Sequence, residues 1–288
     1  MLKILIPVDF SENTKNVCKY AVNLINTEDT ELHIFHILPD GVMVPDSSFP
    51  AGIDSDAFLN SEYLDIMRQT ANENLSMLLD FVRLLLKNSN YPKANISSSI
   101  LSGDAEWEIM NICESFDPTF VVMGTQGHGN KSFLQGSMAK KIMKKVKFPV
   151  IAVPENSKIT IPKNILYATN FSDLDYAKLV LIFKLFHNLD ITIYVTHFNI
   201  ESDFNTAQKK MESLKQAFKK KRSDGKIHFN IIDSKNKSIS LNTFCDQYEI
   251  DTISFISYKS NIFHYLFNNE IHKKDFFMLD VPMLALHE

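Results

Sequence analysis

The sequence predicts an α/β protein made of two tandem, doubly wound parallel sheets of five strands each. Three observations carry that prediction. Short apolar, β-rich runs alternate with longer amphipathic stretches, the pattern of parallel strands joined by helical crossovers. The pattern occurs twice. Lys3-Ile4-Leu5-Ile6-Pro7-Val8-Asp9-Phe10-Ser11-Glu12 is matched by Lys163-Asn164-Ile165-Leu166-Tyr167-Ala168-Thr169-Asn170-Phe171-Ser172-Asp173, and Phe148-Pro149-Val150-Ile151-Ala152-Val153 by Val281-Pro282-Met283-Leu284-Ala285-Leu286. A repeat of this length means two copies of one fold, and 288 residues suffice for both.

In the first copy, strands are expected at 2–8, 31–38, 95–101, 118–123 and 149–153. Helices are expected at 12–26, 57–88, 105–116 and 137–147. The first strand is an apolar run closed by a polar turn containing Phe10-Ser11, and an amphipathic helix follows. Glu31 to Ile37 supplies the second strand, matched by Asp190 to Phe198. A loop rich in Pro, Gly, Asp and Ser, from Pro39 to Ser55, precedes the long second helix. It reads equally as a lid over a ligand or as a plain connection. The second copy lacks this insert, because His197 leads almost directly into a helix near Phe204 to Lys221. The polar stretch Pro154-Glu155-Asn156-Ser157-Lys158 marks the join, giving domains at 1–154 and 160–288.

The composition excludes several classes. A net charge of -4 argues against general nucleic-acid binding. The Lys219-Lys220-Lys221-Arg222 cluster reads as a solvated helix end. Cys18, Cys113 and Cys245 show no CxxC spacing and sit in apolar helical patterns, so they read as small buried hydrophobes in a reducing compartment. No signal-peptide pattern opens the chain, and no window approaches a membrane span. A cytoplasmic location is the expectation. Trp107, between Glu106 and Glu108, is expected to anchor its helix by packing.

The chemistry concentrates in one loop. Val121-Val122-Met123-Gly124-Thr125-Gln126-Gly127-His128-Gly129, followed by Gly136-Ser137, holds four of the eight glycines. A strand that ends in such a loop and enters a helix can hold a phosphate. Glycine admits an anion to the backbone N–H groups, and the helix N-terminus adds donors and partial positive charge. The loop is neither a Walker A loop, lacking Gly-Lys-Ser/Thr, nor a dinucleotide fingerprint, which would follow the first strand.

Ligands of doubly wound sheets sit at the carboxyl ends of the strands, where strand order reverses. If the first and fourth strands flank that point, Asp9 and Gly124 share one crevice. Phosphates would then lie on the glycine loop and Ser137, with ribose hydroxyls on the Asp9 carboxylate and a base against Val8, Ile37 and Met123. The alternative role for Asp9 is a helix cap, but Ser11 is equally placed for that, and the ligand role is the favoured reading.

With these residues in view, the chain resembles the universal stress proteins, specifically the tandem type, over essentially its whole length. The resemblance implies Rossmann-like sheets and an adenine nucleotide, ATP or AMP, as ligand. The ATP-binding branch carries Gly-x2-Gly-x9-Gly-Ser/Thr after the fourth strand and an Asp after the first. Gly124, Gly127, Gly136 and Ser137 match in order, with eight residues rather than nine between Gly127 and Gly136, while Gly129 is retained. The resemblance implies an adenosine side lined by Pro7, Val8 and Asp9. It puts Ile37 and Met123 at the base, and His128, Gly129 and Met138 alongside the phosphate residues. The second copy departs further. Ser257, Ser260, Asn269 and Glu270 stand at the places of Gly124, Gly127, Gly136 and Ser137, and Asn170 at that of Asp9. Glu270 would repel a polyphosphate. Family members pair through their last strands, which implies an intramolecular pseudo-dimer with Val150 to Val153 antiparallel to Met283 to Leu286, and leaves room for a homodimer.

No catalytic set stands out, because His128 alone is not one, and the histidines show no metal-ligand spacing. Mg²⁺ can accompany a triphosphate, yet no carboxylate pair marks its place. Lys140, Lys141, Lys144, Lys145 and Lys147 read as a solvated helix face. The leading reading is a nucleotide-binding stress sensor or regulator with nucleotide in the first domain only, no membrane and no nucleic acid. A slow ATPase or nucleotide-dependent enzyme and a nucleotide-free structural pseudo-dimer are the alternatives.

Overall fold

The computed structural model describes residues 1–39, 54–125, 137–199, 204–233, 237–257 and 280–288. The Pro39 to Ser55 loop expected as a lid or connection lies largely outside these residues. In chain order the elements of the first half are β1 (Leu2–Val8), α1 (Thr14–Asn23), β2 (Thr30–Leu38), α2 (Asp54–Lys87), β3 (Asn95–Ser102), α3 (Ala105–Phe116), β4 (Phe120–Gly124), α4 (Ser137–Lys145) and β5 (Val150–Val153). The second half contains β6 (Asn164–Ala168), α5 (Asp175–Leu185), β7 (Thr192–Asn199), α6 (Phe204–Ala217), α7 (Lys219–Ser223), β8 (Ile227–Asp233), α8 (Lys237–Gln247), β9 (Thr252–Ser257) and β10 (Met283–His287).

The two expected five-stranded halves are present as parts of one sheet, in the order β3-β2-β1-β4-β5-β10-β9-β6-β7-β8. Pairing within each half is parallel. At the centre β5 and β10 run antiparallel, with Met283 opposite Ala152, Leu284 opposite Ile151 and Ala285 opposite Val150, as the pairing of last strands implied. The central strands are apolar on both sides because helices cover both faces. Edge strand β3 carries Ser97, Ser98 and Ser99 and is only partly covered.

Residue parity divides the interior into two cores. Ile4, Ile6 and Val8 point to the face covered by α1, α2, α5 and α6, whereas Leu5, Val121 and Met123 point to the face covered by α3, α4 and α8. Both cores run across the seam: Leu284 joins the first, and Met283 and Ala285 the second. Polar contacts cross it as well. Buried Tyr20 of α1 shares a hydrogen bond with Thr252 of β9 at 3.1 Å. Asn188 Nδ2 donates to Asn26 O at 2.7 Å. The Tyr20 hydroxyl is pushed up by burial, which keeps it neutral.

Three expectations need correction. Trp107 is 57 % exposed and does not anchor α3 by packing. Ile109 and Cys113 are the buried residues of that helix, and Trp107 lies two positions from Ile109, on the outer face. α3 is instead started by Asp104, whose side chain accepts from Trp107 N–H at 2.9 Å. The helix expected from Phe204 to Lys221 breaks at Phe218, which leaves helical geometry and buries its ring near Tyr176 and Phe229. The first helix begins at Thr14 rather than residue 12, because a hydrogen-bonded turn occupies Asp9 to Asn13. The three cysteines are free and buried, and burial pushes each thiol up to about 12. Among the described residues no helix is long and apolar enough to cross a membrane.

Because both cores cross the seam, the chain is expected to unfold in one cooperative step. Leu284→Ala should lower stability by about 2–5 kcal/mol, and denaturant curves followed by a probe in each half should coincide. Two separate transitions would contradict a shared core.

Candidate functional site

Strand order reverses between β1 and β4, with β2 and β3 beyond β1 on one side and β5 beyond β4 on the other. From that point β1 leads into α1 on one face and β4 leads toward α4 on the other. The carboxyl ends of these two strands form the switch point, the place where open α/β sheets take ligands.

Asp9 lies at this switch point, directly after β1, and is partly exposed. Its Oδ1 accepts Ser11 N–H at 3.0 Å and the Thr14 hydroxyl at 3.3 Å. Asp9 therefore closes an Asx turn that leads into α1, and the turn-forming role is occupied on one carboxylate oxygen. Ser11 contributes its carbonyl, which accepts Thr14 N–H at 3.0 Å. Asn13 stands at the helix start, but its amide donates to Val153 O at 2.8 Å. Thr125 N–H reaches the same carbonyl at 3.2 Å. One oxygen at the end of β5 thus ties the start of α1 to the residue after Gly124.

The residues expected to line the adenosine side divide by face. Extending the β1–β4 register, in which Leu5 faces Val121, sets Pro7 beside Met123 and Val8 beside Gly124. Met123 is buried and Ile37 packs against the same core. Val8 belongs to the opposite face, so its side chain does not share a wall with Ile37 and Met123. Gly124 closes β4 as a strand residue. Met138, in the first turn of α4, packs against the core of Met123. Gly127, His128, Gly129 and Gly136 lie outside the described residues, and Ser137 is described for its backbone alone, as the first residue of α4. Glu106 of α3 pairs with Lys141 at 3.0 Å and with Lys145, which fixes α4 against α3. Hydrogen bonds from Lys145 and Lys141 hold the Glu106 carboxyl below its usual range.

Sequence reasoning missed a contact at the end of β2. His36 Nδ1 donates to Val8 O at 2.7 Å, and Phe10, in the left-handed conformation with φ 58°, packs on the His36 ring in a tilted arrangement with centroids 4.4 Å apart. The signal was present: Phe10 and His36 recur as Phe171 and His197 at a constant displacement.

The second half is wired differently at the corresponding place. Its carboxylate, Asp175, sits on α5 at the position of Thr14, is buried, and accepts from the Tyr167 hydroxyl at 2.7 Å and from the Thr169 hydroxyl. The expected match of Ser257 with Gly124 needs correction: Ile4 lies opposite Phe120 and Ile165 opposite Thr252, so Ile256 stands at the place of Gly124. Ser257, one residue further on, is fully buried, and its hydroxyl donates to Met143 O of α4 at 2.5 Å. Ser260, Asn269 and Glu270 lie outside the described residues. Among the described residues no group of three or more His, Cys, Asp or Glu is placed to hold a metal ion.

The model of the universal stress protein family matches residues 1–154. The chain belongs to the universal stress protein family. A universal stress protein from Methanocaldococcus jannaschii is 27% identical over 157 residues, covering 54% of this chain and 84% of that protein. The solved structure of a universal stress protein from Archaeoglobus fulgidus matches 99% of this chain and 96% of its own with a TM-score of 0.69 at 18% identity. A functionally unknown protein from Pseudomonas aeruginosa matches 99% of this chain and 92% of its own, with a TM-score of 0.53 at 9% identity. These two likenesses span both halves and establish a shared fold.

Asp175 gives a pH signature. Burial raises its carboxyl above the usual range, more than its hydrogen bonds from Thr169 and Tyr167 lower it. The folded state thus prefers the proton more than the unfolded chain does. The stability this contributes is full below the unfolded value of about 3.9 and is lost as pH rises through the raised folded value. Asp175→Asn removes the ionisation. Its stability relative to wild type should therefore improve as pH climbs from about 4 toward neutrality, measured by urea denaturation at several pH values. A difference that stays flat would contradict the buried carboxylate.

Proposed function

We propose that this universal stress protein binds one adenine nucleotide, ATP or AMP, in its first half and serves as a sensor or regulator in a stress response. In this reading residues 1–154 form the nucleotide-binding domain. Residues 160–288 form a partner domain that completes the sheet and holds no nucleotide. The observation that supports it is the strand order, which sets β1, followed directly by Asp9, beside β4, which ends at Gly124, at the point where the order reverses, with α4 following the glycine-rich stretch in the chain. These residues suit a nucleotide. A partly exposed carboxylate can accept ribose hydroxyls, and a helix N-terminus after glycines can take phosphate. Pro7, Ile37 and Met123 share the face on which a base would lie, and Val8 contributes through its backbone at the strand end. His128, Gly127, Gly129, Gly136 and Ser137 are assigned to the phosphates, with Mg²⁺ accompanying a triphosphate.

The rewiring of the second half supports its assignment as empty. A phosphate loop leaving β9 would begin at Ser257, whose hydroxyl is engaged by α4 of the first half. The carboxylate of that half is drawn inward to Tyr167 and Thr169. Calorimetric titration with ATP should therefore give a stoichiometry close to one per chain. A value close to two would overturn the asymmetry.

Asp9→Ala tests the ribose assignment. The turn is lost in any case, so stability should fall by about 1 kcal/mol. If Asp9 also holds ribose hydroxyls, ATP affinity should fall by roughly ten- to a hundredfold. For a 2′,3′-dideoxy analogue the loss should be much smaller. An equal loss for both nucleotides would remove Asp9 from the ribose.

A further inference from the structure

We propose that His36, acting with Phe10, is a positioning residue that sets the pose of Asp9 at the switch point; this rests on the nucleotide reading above. Asp9 sits between Val8 and Phe10, and one imidazole touches both neighbours. On the Val8 side, a carbonyl oxygen can only accept, so His36 carries a proton on Nδ1 and donates it across 2.7 Å. On the Phe10 side, the ring lies 4.4 Å from the same imidazole at an interplanar angle of 36°. Strand pairing fixes His36 itself, because β2 runs in register with β1 and sets His36 opposite Val8.

The backbone at Phe10 points the same way. Its φ of 58° lies in the left-handed region, which glycine adopts freely and a bulky side chain avoids. Such strain persists only where surrounding contacts over-determine it. A glycine would relieve it but could not pack on His36. With the backbone held on both sides, and Oδ1 held by Ser11 N–H and the Thr14 hydroxyl, the carboxylate is set before a ligand arrives, which lowers the ordering cost of binding.

The arrangement occurs a second time. His197 Nδ1 donates to Thr169 O at 2.9 Å, Phe171 has φ 61°, and its ring lies 4.4 Å from the His197 imidazole. Asn170 stands between them in place of Asp9. The clamp is thus the same whatever residue it holds, and its effect on ligand binding depends on that residue. The repeat supplies an internal control.

The test compares His36→Leu with His197→Leu, each measured for melting temperature and for ATP affinity by calorimetry. Both should lower the melting temperature. His36→Leu should weaken ATP about tenfold while His197→Leu leaves affinity within about twofold of wild type. In an Asp9→Ala background, His36→Leu should add less than about twofold, because its effect runs through Asp9. Phe10→Gly and Phe171→Gly each keep the left-handed turn and relieve its strain while removing a ring packed against the first core, so they match in structural cost. Phe10→Gly should weaken ATP severalfold, whereas Phe171→Gly should leave affinity within about twofold of wild type, and an equal loss for the two overturns the positioning role. An affinity loss that is equal for the two histidine variants, or that persists undiminished in the Asp9→Ala background, overturns the positioning role while leaving the nucleotide reading intact. Wild-type protein that fails to bind ATP overturns both.

Discussion

The antiparallel pairing of β5 with β10 is the constraint on which the rest depends. A five-stranded parallel sheet ending in the short strand Val150–Val153 would present an unpaired, fully apolar edge. Met283–His287 presents the same problem in the second half. Each edge is satisfied by the other, and the two interiors become continuous on both faces of one sheet. The hydrophobic effect then acts on ten strands as one body, because removing either half would expose buried residues of the other.

That union shapes the candidate site. α1, whose start carries the Asp9 turn, reaches the second half through Tyr20, and Asn26, just beyond its end, donates to Leu185 O. α4, whose start receives the glycine loop, accepts the Ser257 hydroxyl near its end. Both helices that follow the switch-point strands are therefore buttressed by the half proposed to bind nothing. Two equal halves have diverged in how they use one carboxylate and one hydroxyl at the start of the first helix. Asp9 with Thr14 keeps the carboxylate on the strand-end loop, partly exposed. Asp175 with Thr169 puts it on the helix, buried. The first arrangement can meet a ligand, while the second ties strand to helix.

Much of this was legible in the sequence because local signals and global fold agree. α3 was expected at 105–116 and runs from Ala105 to Phe116, with Asp104 as its cap and Asp117 closing it in the left-handed conformation. The strands of the first half fell within two residues of expectation, because apolar runs bounded by turn residues leave little choice. What escaped is tertiary. The sides to which Val8 and Met123 point depend on the register between strands distant in sequence, so one assumed wall became two faces. Trp107 was read for its size, although its place in the helical period turns it outward. The His36 clamp needs a left-handed phenylalanine, which no propensity suggests. The repeated spacing of Phe10 and His36 was its only trace.

One half of this joined molecule is proposed to carry a nucleotide. Purified protein can be denatured and the released small molecules identified and quantified by mass spectrometry. An adenine nucleotide in an amount close to one per chain is the expected result. Protein that releases no nucleotide, and acquires none after incubation with ATP and removal of the excess, would contradict it.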